Sequence, residues 1–338
     1  MGGRLLSVGR RRLDPRRALA LALLAVATLS CGAEPGPHRW VLANVHPSGY
    51  PTAGGLEAFA AAVAADERLA GRVEIDLQLA GVLGNEKETL EKLRFGALRM
   101  ICSSAAPLSE FAPAVGVLSL PYLFRDSEHL WAVLDGDVGE ELAAALREAG
   151  FVPLAWYDAG ARSFYNRRRP VRRLADLEGL KIRVQRSEVM RDTVAALGAS
   201  PVALGFKQVY TSLHTGAIDG AENNLPSYRS ERHFETASYY SRDRHSMIPD
   251  VLLVSVAAWE SLTPAEQAAL RQAAEASAVR QRGLWASYVE EAERFVTAAG
   301  SEIVEIEDPE AFRHAVEPVY ERHAARFGDL PERIRAVR

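Results

Sequence analysis

Cysteine is scarce in this 338-residue sequence, which contains only Cys31 and Cys102. Cys102 follows the apolar residues Met100 and Ile101, and we interpret it as a buried core residue rather than a nucleophile. Beyond the first thirty residues, no apolar run reaches the roughly 20 residues that a membrane-spanning helix needs. The sequence therefore predicts neither a reactive thiol nor a membrane-spanning domain in the mature chain.

Enzyme motifs are also missing. The sequence has no Gly-x-Ser-x-Gly, no phosphate-binding loop, no dinucleotide-binding fingerprint, no His-Glu-x-x-His and no Cys-x-x-Cys. Its eight histidines show no metal-ligand spacing. We therefore expect a binding protein rather than an enzyme, with no metal ion and no cofactor.

The N-terminal segment is typical of an exported protein. Five of the residues from 10 to 17 are Arg, and residues 18–30 form an uncharged run dominated by Leu and Ala. This pattern predicts a signal peptide over residues 1–30 and a periplasmic location. Thr28-Leu29-Ser30-Cys31 is similar to a lipoprotein processing site, at which Cys31 would be lipidated and anchor the protein to the membrane. Cleavage without lipidation is the alternative.

The mature chain is acidic. Loss of residues 1–30 removes six Arg and one Asp, which lowers the formal net charge from −4 to −9. Such a protein is a poor candidate for binding nucleic acid or anionic lipid. A site for an acidic ligand must therefore come from a local concentration of Arg.

Strand and helix patterns alternate along the chain, which predicts an α/β fold in two lobes of related build. The predicted strands cover residues 40–45, 73–79, 98–102, 180–184, 201–204 and 217–221, and the predicted helices cover residues 56–64, 86–95, 188–197 and 207–214. Gly96 and Gly216 stand at matching helix ends. We expect both to adopt the left-handed conformation, with the next strand beginning at once.

A long helix is predicted over residues 264–299, opened by Thr263 and Pro264 as cap and first-turn residues. It is long enough to brace both lobes. The apolar run over residues 250–258 is interpreted as a strand that crosses back to the first lobe. These features predict lobe I over residues 38–159 and 249–288, and lobe II over residues 160–248 and 289–338.

Polar residues follow corresponding strands of the two lobes. Ser103 and Ser104 end one strand, and Glu222, Asn223 and Asn224 end the other. Ligands of open α/β sheets bind beyond the carboxyl ends of the strands, so these groups are predicted to meet in a cleft.

Two arginines are candidate carboxylate ligands. Arg183 lies in a strand whose opposite face carries Leu180, Ile182 and Val184, and Arg162 follows a predicted hinge at Gly160. A guanidinium can hold a carboxylate through two parallel hydrogen bonds. A solvated position on an exposed strand face is the alternative for either arginine.

The chain resembles the periplasmic substrate-binding subunits of tripartite ATP-independent periplasmic (TRAP) transporters, in the branch that binds dicarboxylates and uronates. The resemblance runs from about residue 40 to about residue 327 and rests on several segments in order. They are Gly81-Val82-Leu83-Gly84-Asn85-Glu86, residues 118–126 (LSLPYLFRD), Gly160-Ala161-Arg162, Gly179-Leu180-Lys181-Ile182-Arg183-Val184, Val209-Tyr210-Thr211 and residues 218–224 (IDGAENN).

This resemblance implies a clam-shell fold with a long bridging helix and a site that closes on a carboxylate. It places the clamping guanidinium on Arg183, a second one on Arg162 and a conserved amide on Asn223. Further solute-facing positions are implied at Phe206, Asn44, His46, Ser103, Ser104 and Asn224.

The implied function is that of an extracytoplasmic solute receptor, which closes on a uronic or related sugar acid and delivers it to TRAP membrane subunits. Binding of C4-dicarboxylates and ligand sensing for a signalling receptor remain as alternatives. The adjacent amides Asn223 and Asn224 suit a polyhydroxylated ligand, because each amide can both donate and accept hydrogen bonds.

Overall fold

The computed structural model describes residues 38–338, so the predicted signal peptide and Cys31 lie outside the described residues. The strands are β1 (His38–Ala43), β2 (Val73–Gln78), β3 (Met100–Ser104), β4 (Phe151–Tyr157), β5 (Ala161–Asn166), β6 (Lys181–Val184), β7 (Ser200–Ala203), β8 (Gly220–Asn223), β9 (Tyr239–Met247), β10 (Asp250–Ser255) and β11 (Glu302–Glu305).

Helices cover both sheets. They are α1 (Pro51–Ala65), α2 (Glu86–Arg94), α3 (Ala105–Leu108), α4 (Ser127–Leu134), α5 (Asp137–Glu148), α6 (Glu188–Ala196), α7 (Val209–Thr215), α8 (Leu225–Ser230), α9 (Val256–Glu260), α10 (Pro264–Ala298), α11 (Pro309–Ala315), α12 (Glu317–Phe327) and α13 (Leu330–Ala336). Short 3-10 helices cover Pro113–Ser119, Leu174–Leu177, Phe206–Gln208 and His233–Glu235. No helix among residues 38–338 is both long and apolar enough to cross a membrane.

The strands form two mixed sheets, one in each lobe. The first has the order β2-β1-β3-β10-β4 and the second β11-β9-β5-β8-β6-β7. In the first sheet, β1 is parallel to β2 and β3, and β10 runs antiparallel between β3 and β4. In the second, β6 is parallel to β7 and β8, and β5 is antiparallel to β8 and β9. The predicted two-lobed α/β fold is confirmed.

Two short segments carry the chain between the lobes. Strands β4 and β5 belong to different sheets and are separated by residues 158–160, and β9 and β10 are separated by residues 248–249. The predicted strand over residues 250–258 does cross back to the first sheet but ends at Ser255, whose side chain accepts a hydrogen bond from Ala258 N (3.3 Å) and caps α9. That cap turns the last three predicted strand residues into helix.

Helix α10 braces both lobes. Its predicted start is confirmed, with Thr263 Oγ1 accepting from Glu266 N (3.4 Å) and the Glu266 carboxylate accepting from Thr263 N (2.7 Å). Near its start Leu270 belongs to the apolar core of the first lobe, and near its end Val296 belongs to that of the second. One helix therefore buries successive turns in each lobe.

The two matching glycine junctions share one geometry. Gly96 and Gly216 both have φ 74°, as predicted for a left-handed helix end. The following strands begin later than predicted, at residues 100 and 220. The backbone N–H of Leu98 donates to Lys92 O (3.1 Å) and that of Ile218 to Ser212 O (3.2 Å). These bonds turn the chain back onto the helix end and delay the strand.

The hinge glycine gives a prediction about stability. Gly160 has φ 59°, and a Cβ atom there would lie 2.8 Å from Nε1 of the buried Trp285. We expect Gly160→Ala to lower the free energy of unfolding by about 2–4 kcal/mol, through backbone strain and overpacking together. Urea denaturation at equilibrium measures this loss.

Gly179→Ala is the matched control. Gly179 has φ 76°, but nothing lies within 4 Å of a Cβ atom built there. We expect Gly179→Ala to lower the free energy of unfolding by about 1–2 kcal/mol, through backbone strain alone. Equal losses of unfolding free energy in the two variants would show that contact with Trp285 does not destabilise Gly160→Ala.

Candidate functional site

A small cavity of about 20 Å³ lies between the lobes, at the predicted ends of the strands. It is lined by Val45, His46, Glu86, Ser104, Ala159, Arg162, Gln185, Phe206, Asn223, Asn224, Ser227 and Asp250. Contacts cross the cleft, because Tyr50 Oη lies 2.9 Å from Ser227 Oγ and Ser104 Oγ lies 3.5 Å from Gln185 Oε1. The lobes are closed on each other in this structure.

The structure brings most of the sequence-predicted site residues to the cavity wall. Those that line it are His46, Ser104, Arg162, Phe206, Asn223 and Asn224. Those that are buried nearby without forming the lining are Asn44, Ser103 and Arg183. The wall joins residues that are up to 205 positions apart, Val45 and Asp250, because both sheets point the same ends at the cleft.

Arg162 is held by Glu222, on the neighbouring strand. Its Nε donates to Glu222 Oε2 (2.6 Å), its Nη2 donates to Glu222 Oε1 (2.9 Å) and to Glu222 O (2.8 Å), and its Nη1 donates to Asn223 Oδ1 (2.9 Å). Burial lowers the pKa of Arg162, but the Glu222 carboxylate outweighs burial and raises the pKa above its usual value. The pair fixes both the charge and the direction of this guanidinium.

A histidine and a second carboxylate stand behind this pair. His245 Nε2 lies 3.5 Å from Glu222 Oε2, and His245 Nδ1 lies 2.8 Å from Asp243 Oδ2. Burial lowers the pKa of His245, but Asp243 and Glu222 outweigh burial and raise it to about 9. Burial raises the pKa of Glu222, but Arg162 and His245 lower it to about 2. The network therefore stays charged at neutral pH.

Arg183 has no carboxylate partner among the described residues. Its Nε and Nη2 both donate to Leu204 O, at 2.9 and 2.8 Å. The side chain is 1% exposed, and burial is the main cause that lowers its pKa. Arg162 lowers the same pKa, since the two guanidinium groups repel each other. Arg183 is thus a buried cation whose Nη1 has no acceptor among residues 38–338.

Asn44 and His46 form one unit on the first lobe. Asn44 Nδ2 donates to Cys102 O (2.9 Å), and Asn44 Oδ1 accepts from His46 N (2.9 Å). The His46 ring stacks on Tyr50 at 3.9 Å and meets Phe206 of the other lobe edge-on at 5.2 Å. Burial, followed by the charges of Lys207 and Arg162, lowers the pKa of His46 to about 3. His46 is therefore a neutral ring in the wall.

Four polar lining residues were not among the predicted site residues: Glu86, Gln185, Ser227 and Asp250. Glu86 was visible as the last residue of the Gly81–Glu86 motif, and Gln185 as the polar residue that follows the Arg183 strand. Asp250 is a single acid that opens an apolar run. Only the tertiary structure shows that these positions share one cavity.

A larger cavity of about 1080 Å³ lies beside the hinge and includes Gly160, Trp131 and Trp285 in its lining. Two arginines of this lining pair with acids of the same lining: Arg242 with Glu293 (2.6 Å) and Glu305 (3.3 Å), and Arg244 with Glu305 (3.0 Å). None of the arginines in this lining is fully buried, whereas the cavity between the lobes has the buried Arg162 in its lining and, nearby, the buried Arg183, which is unpaired within residues 38–338. We therefore assign the functional site to the cavity between the lobes.

The model of one protein family, described as bacterial extracellular solute-binding protein family 7, matches residues 42–326. The chain belongs to this family. A solute-binding protein of Chromohalobacter salexigens is 37% identical to this family 7 chain over 316 residues, which cover 93% of each.

Solved structures agree with the family assignment. A TRAP periplasmic solute-binding protein of C. salexigens with bound D-glucuronate is 37% identical, with a TM-score of 0.86, and the match covers 88% of this chain and 100% of that one. A Bradyrhizobium TRAP solute-binding protein in complex with α/β-D-galacturonate is 41% identical, with a TM-score of 0.85, covering 88% and 99%. The resemblance predicted from sequence is confirmed: this is a solute receptor of the TRAP type, not an enzyme.

The charged network gives a prediction about pH. The pKa of His245 is raised from 6.5 to about 9 in the folded protein. Its contribution to stability is therefore fully present below about pH 6.5 and lost as the pH rises through about 9. We expect His245→Asn to be less stable than wild type by up to about 3 kcal/mol at low pH, with little difference above pH 9 or so.

Chemical denaturation on both sides of this window measures the difference. His314→Asn is the control, because His314 is an exposed histidine whose side chain is 82% accessible. A His245→Asn deficit that grows with pH would contradict a protonated His245 in the folded state.

Proposed function

We propose that this receptor binds a uronic acid, glucuronate or galacturonate, in the cavity between its lobes and delivers it to the TRAP membrane subunits. The observation that carries the proposal is the charge count of the cavity wall. Two buried guanidinium groups lie at the cavity, Arg162 in its lining and Arg183 near Arg162 but outside the lining, and a carboxylate of the described chain pairs only with Arg162. A ligand carboxylate would compensate the other, Arg183.

Amide and hydroxyl groups around the arginines fit the rest of a sugar acid. Asn223 and Ser104 present groups that can donate or accept, and Phe206 and His46 supply ring faces for the apolar side of a sugar ring. We therefore assign Arg183, Arg162 and Asn223 to the carboxylate, and Ser104, Phe206, His46 and Asn224 to the sugar. The bound uronates of the solved relatives support this ligand class.

Asn44 and Ser103 take a supporting role in this proposal. The Asn44 amide is occupied by His46 N and Cys102 O, and Ser103 Oγ donates to Ser104 O (3.3 Å). They would hold His46 and Ser104 in position while those residues contact the solute.

Closure on the solute supplies the binding free energy. A hydrogen bond to a charged group contributes about 1.5–3 kcal/mol. Two or three such bonds account for much of the roughly −8 kcal/mol of a micromolar complex. The contacts between Tyr50 and Ser227 and between Ser104 and Gln185 then hold the lobes together.

Calorimetry with glucuronate and galacturonate tests this function together with the arginine assignment. We expect at least one uronate to bind with micromolar affinity or better, and Arg183→Ala to weaken that binding by about 100-fold or more, because a desolvated charge partner is lost. The melting temperature of the ligand-free variant should stay close to that of wild type, since Arg183 makes no ion pair within the described chain.

Arg186→Ala is the control for removing a positive charge nearby, because Arg186 is exposed three residues further along. The uronate affinity of Arg186→Ala should match that of wild type. Binding of succinate without binding of either uronate would contradict the proposed ligand class. Micromolar uronate binding by Arg183→Ala would contradict the clamp.

We further propose that residues 1–30 direct export and that Cys31, the residue that follows, becomes a lipidated N-terminus. The proposal rests on the basic and apolar segments and on the Leu29-Ser30-Cys31 sequence. In this arrangement the receptor would stay tethered beside its membrane subunits.

Metabolic labelling with a radioactive fatty acid tests the anchor. We expect label on the wild-type protein and none on Cys31→Ser, because that variant lacks the thiol that carries the acyl group. An unlabelled wild-type protein in the soluble fraction would support plain cleavage instead.

A further inference from the structure

The two walls of the cavity carry opposite charge. The second lobe contributes Arg162, with the buried Arg183 near it outside the lining, whereas the first contributes the carboxylates of Glu86 and Asp250. Among the described residues, no lysine or arginine lies within ion-pair distance of either carboxylate. The His46 ring lies beside Asp250, with Nε2 3.9 Å from Asp250 Oδ2, and it is neutral at physiological pH.

Asp250 keeps free hydrogen-bonding capacity towards the cavity. It opens β10 directly opposite Ser104 on β3, which places both side chains on the same face of the sheet. Asp250 Oδ2 accepts from Thr52 Oγ1 (3.2 Å), while Oδ1 accepts no hydrogen bond from any described residue. A carboxylate can accept about four hydrogen bonds, so most of its capacity remains open.

Glu86 is oriented towards the same space from α2. Its Oε1 accepts from Ser104 N (3.2 Å), and its Oε2 lies 3.5 Å from Gln185 Nε2 across the cleft. Together Asp250 and Glu86 form what we call the acidic wall. Next to it, His46 Nδ1 is buried without a hydrogen-bond partner in the described chain.

Ionised carboxylates accept hydrogen bonds but cannot donate them. The hydroxyl groups of a sugar can donate to the acidic wall, whereas a second carboxylate on the solute would face like charges in a buried site, where repulsion is strong. We propose that the acidic wall determines specificity: it accepts the hydroxyl groups of a sugar monoacid whose single carboxylate lies on the arginines, and it rejects sugar diacids and dicarboxylates.

This inference rests on the proposed function, because it assumes that the carboxylate of the solute faces Arg183. It extends that function by assigning Asp250 and Glu86, which lie on the opposite lobe from the arginines. In this arrangement the arginines attract the carboxylate at one end of the ligand, and the acidic wall repels any second carboxylate at the other end.

Calorimetry with D-glucuronate and D-glucarate, six-carbon acids with one and two carboxylates, tests the inference. We expect wild type to prefer glucuronate by about tenfold or more, and Asp250→Asn to reduce that preference by about tenfold, mainly by binding glucarate more tightly. The amide keeps an acceptor for Thr52 but removes the charge. Asp76→Asn, which removes a charge from β2 outside the cavity, should leave the preference unchanged.

The wild-type protein offers a second measurement if Asp250→Asn does not fold. Burial and the Glu86 charge raise the pKa of Asp250 to about 7. The preference for glucuronate should therefore shrink between about pH 8.5 and about pH 5.5, where Asp250 becomes neutral. Protonation of Glu86, whose pKa burial raises, acts in the same direction. The ionisable or charged groups that interact electrostatically with Asp250 are Glu86, His46, Tyr50, Cys102, Asp158 and Arg162.

Each outcome decides between the two proposals. A wild type that binds neither uronate overturns the proposed function and this inference with it. If wild type binds a uronate but binds glucarate equally well, the acidic wall alone is overturned. The same holds if the preference for glucuronate is unchanged in Asp250→Asn. Where that variant does not fold, a preference that stays constant across the pH range has the same consequence. A preference reduced equally by Asp76→Asn also overturns it, because the effect would then come from overall charge.

Discussion

Two guanidinium groups buried in one closed cleft impose the main electrostatic constraint on this molecule. Burying an unpaired charge is costly, and each of these two cations also disfavours the other. Glu222 compensates Arg162 within the second lobe, and His245, which Asp243 keeps protonated, helps to hold Glu222 in its charged state. No carboxylate of residues 38–338 pairs with Arg183, and in the function proposed above a ligand carboxylate completes the charge balance of the closed state.

Closure brings a differently charged surface against this cationic wall. The first lobe adds acidic acceptors and a neutral imidazole, and Tyr50 reaches across to Ser227 beside the hinge. Helix α10 runs through the apolar cores of both lobes, while the strands change sheets through segments of two and three residues. The lobes can therefore move relative to each other only about a narrow region that includes Gly160.

Much of the architecture could be predicted from sequence because it depends on local patterns. The two βαβ units, the left-handed Gly96 and Gly216 and the start of α10 all follow from residue spacing and capping. Strand limits were less accurate: β3 and β8 start two or three residues late, since Leu98 N and Ile218 N donate back to the preceding helices. Such bonds depend on backbone geometry that residue type alone does not specify.

For the site, the sequence by itself determined the residue types, the hinge glycine and, through family motifs, the arginines of the second lobe. Only the tertiary structure decided their partners. In it, Arg183 donates to Leu204 O and Arg162 pairs with Glu222. The Asn44 amide supports the cavity wall from behind rather than lining it. The tertiary structure also brings Asp250 and Glu86 opposite the arginines. These groups come from distant positions and different lobes, so only folding and closure set their distances and charges.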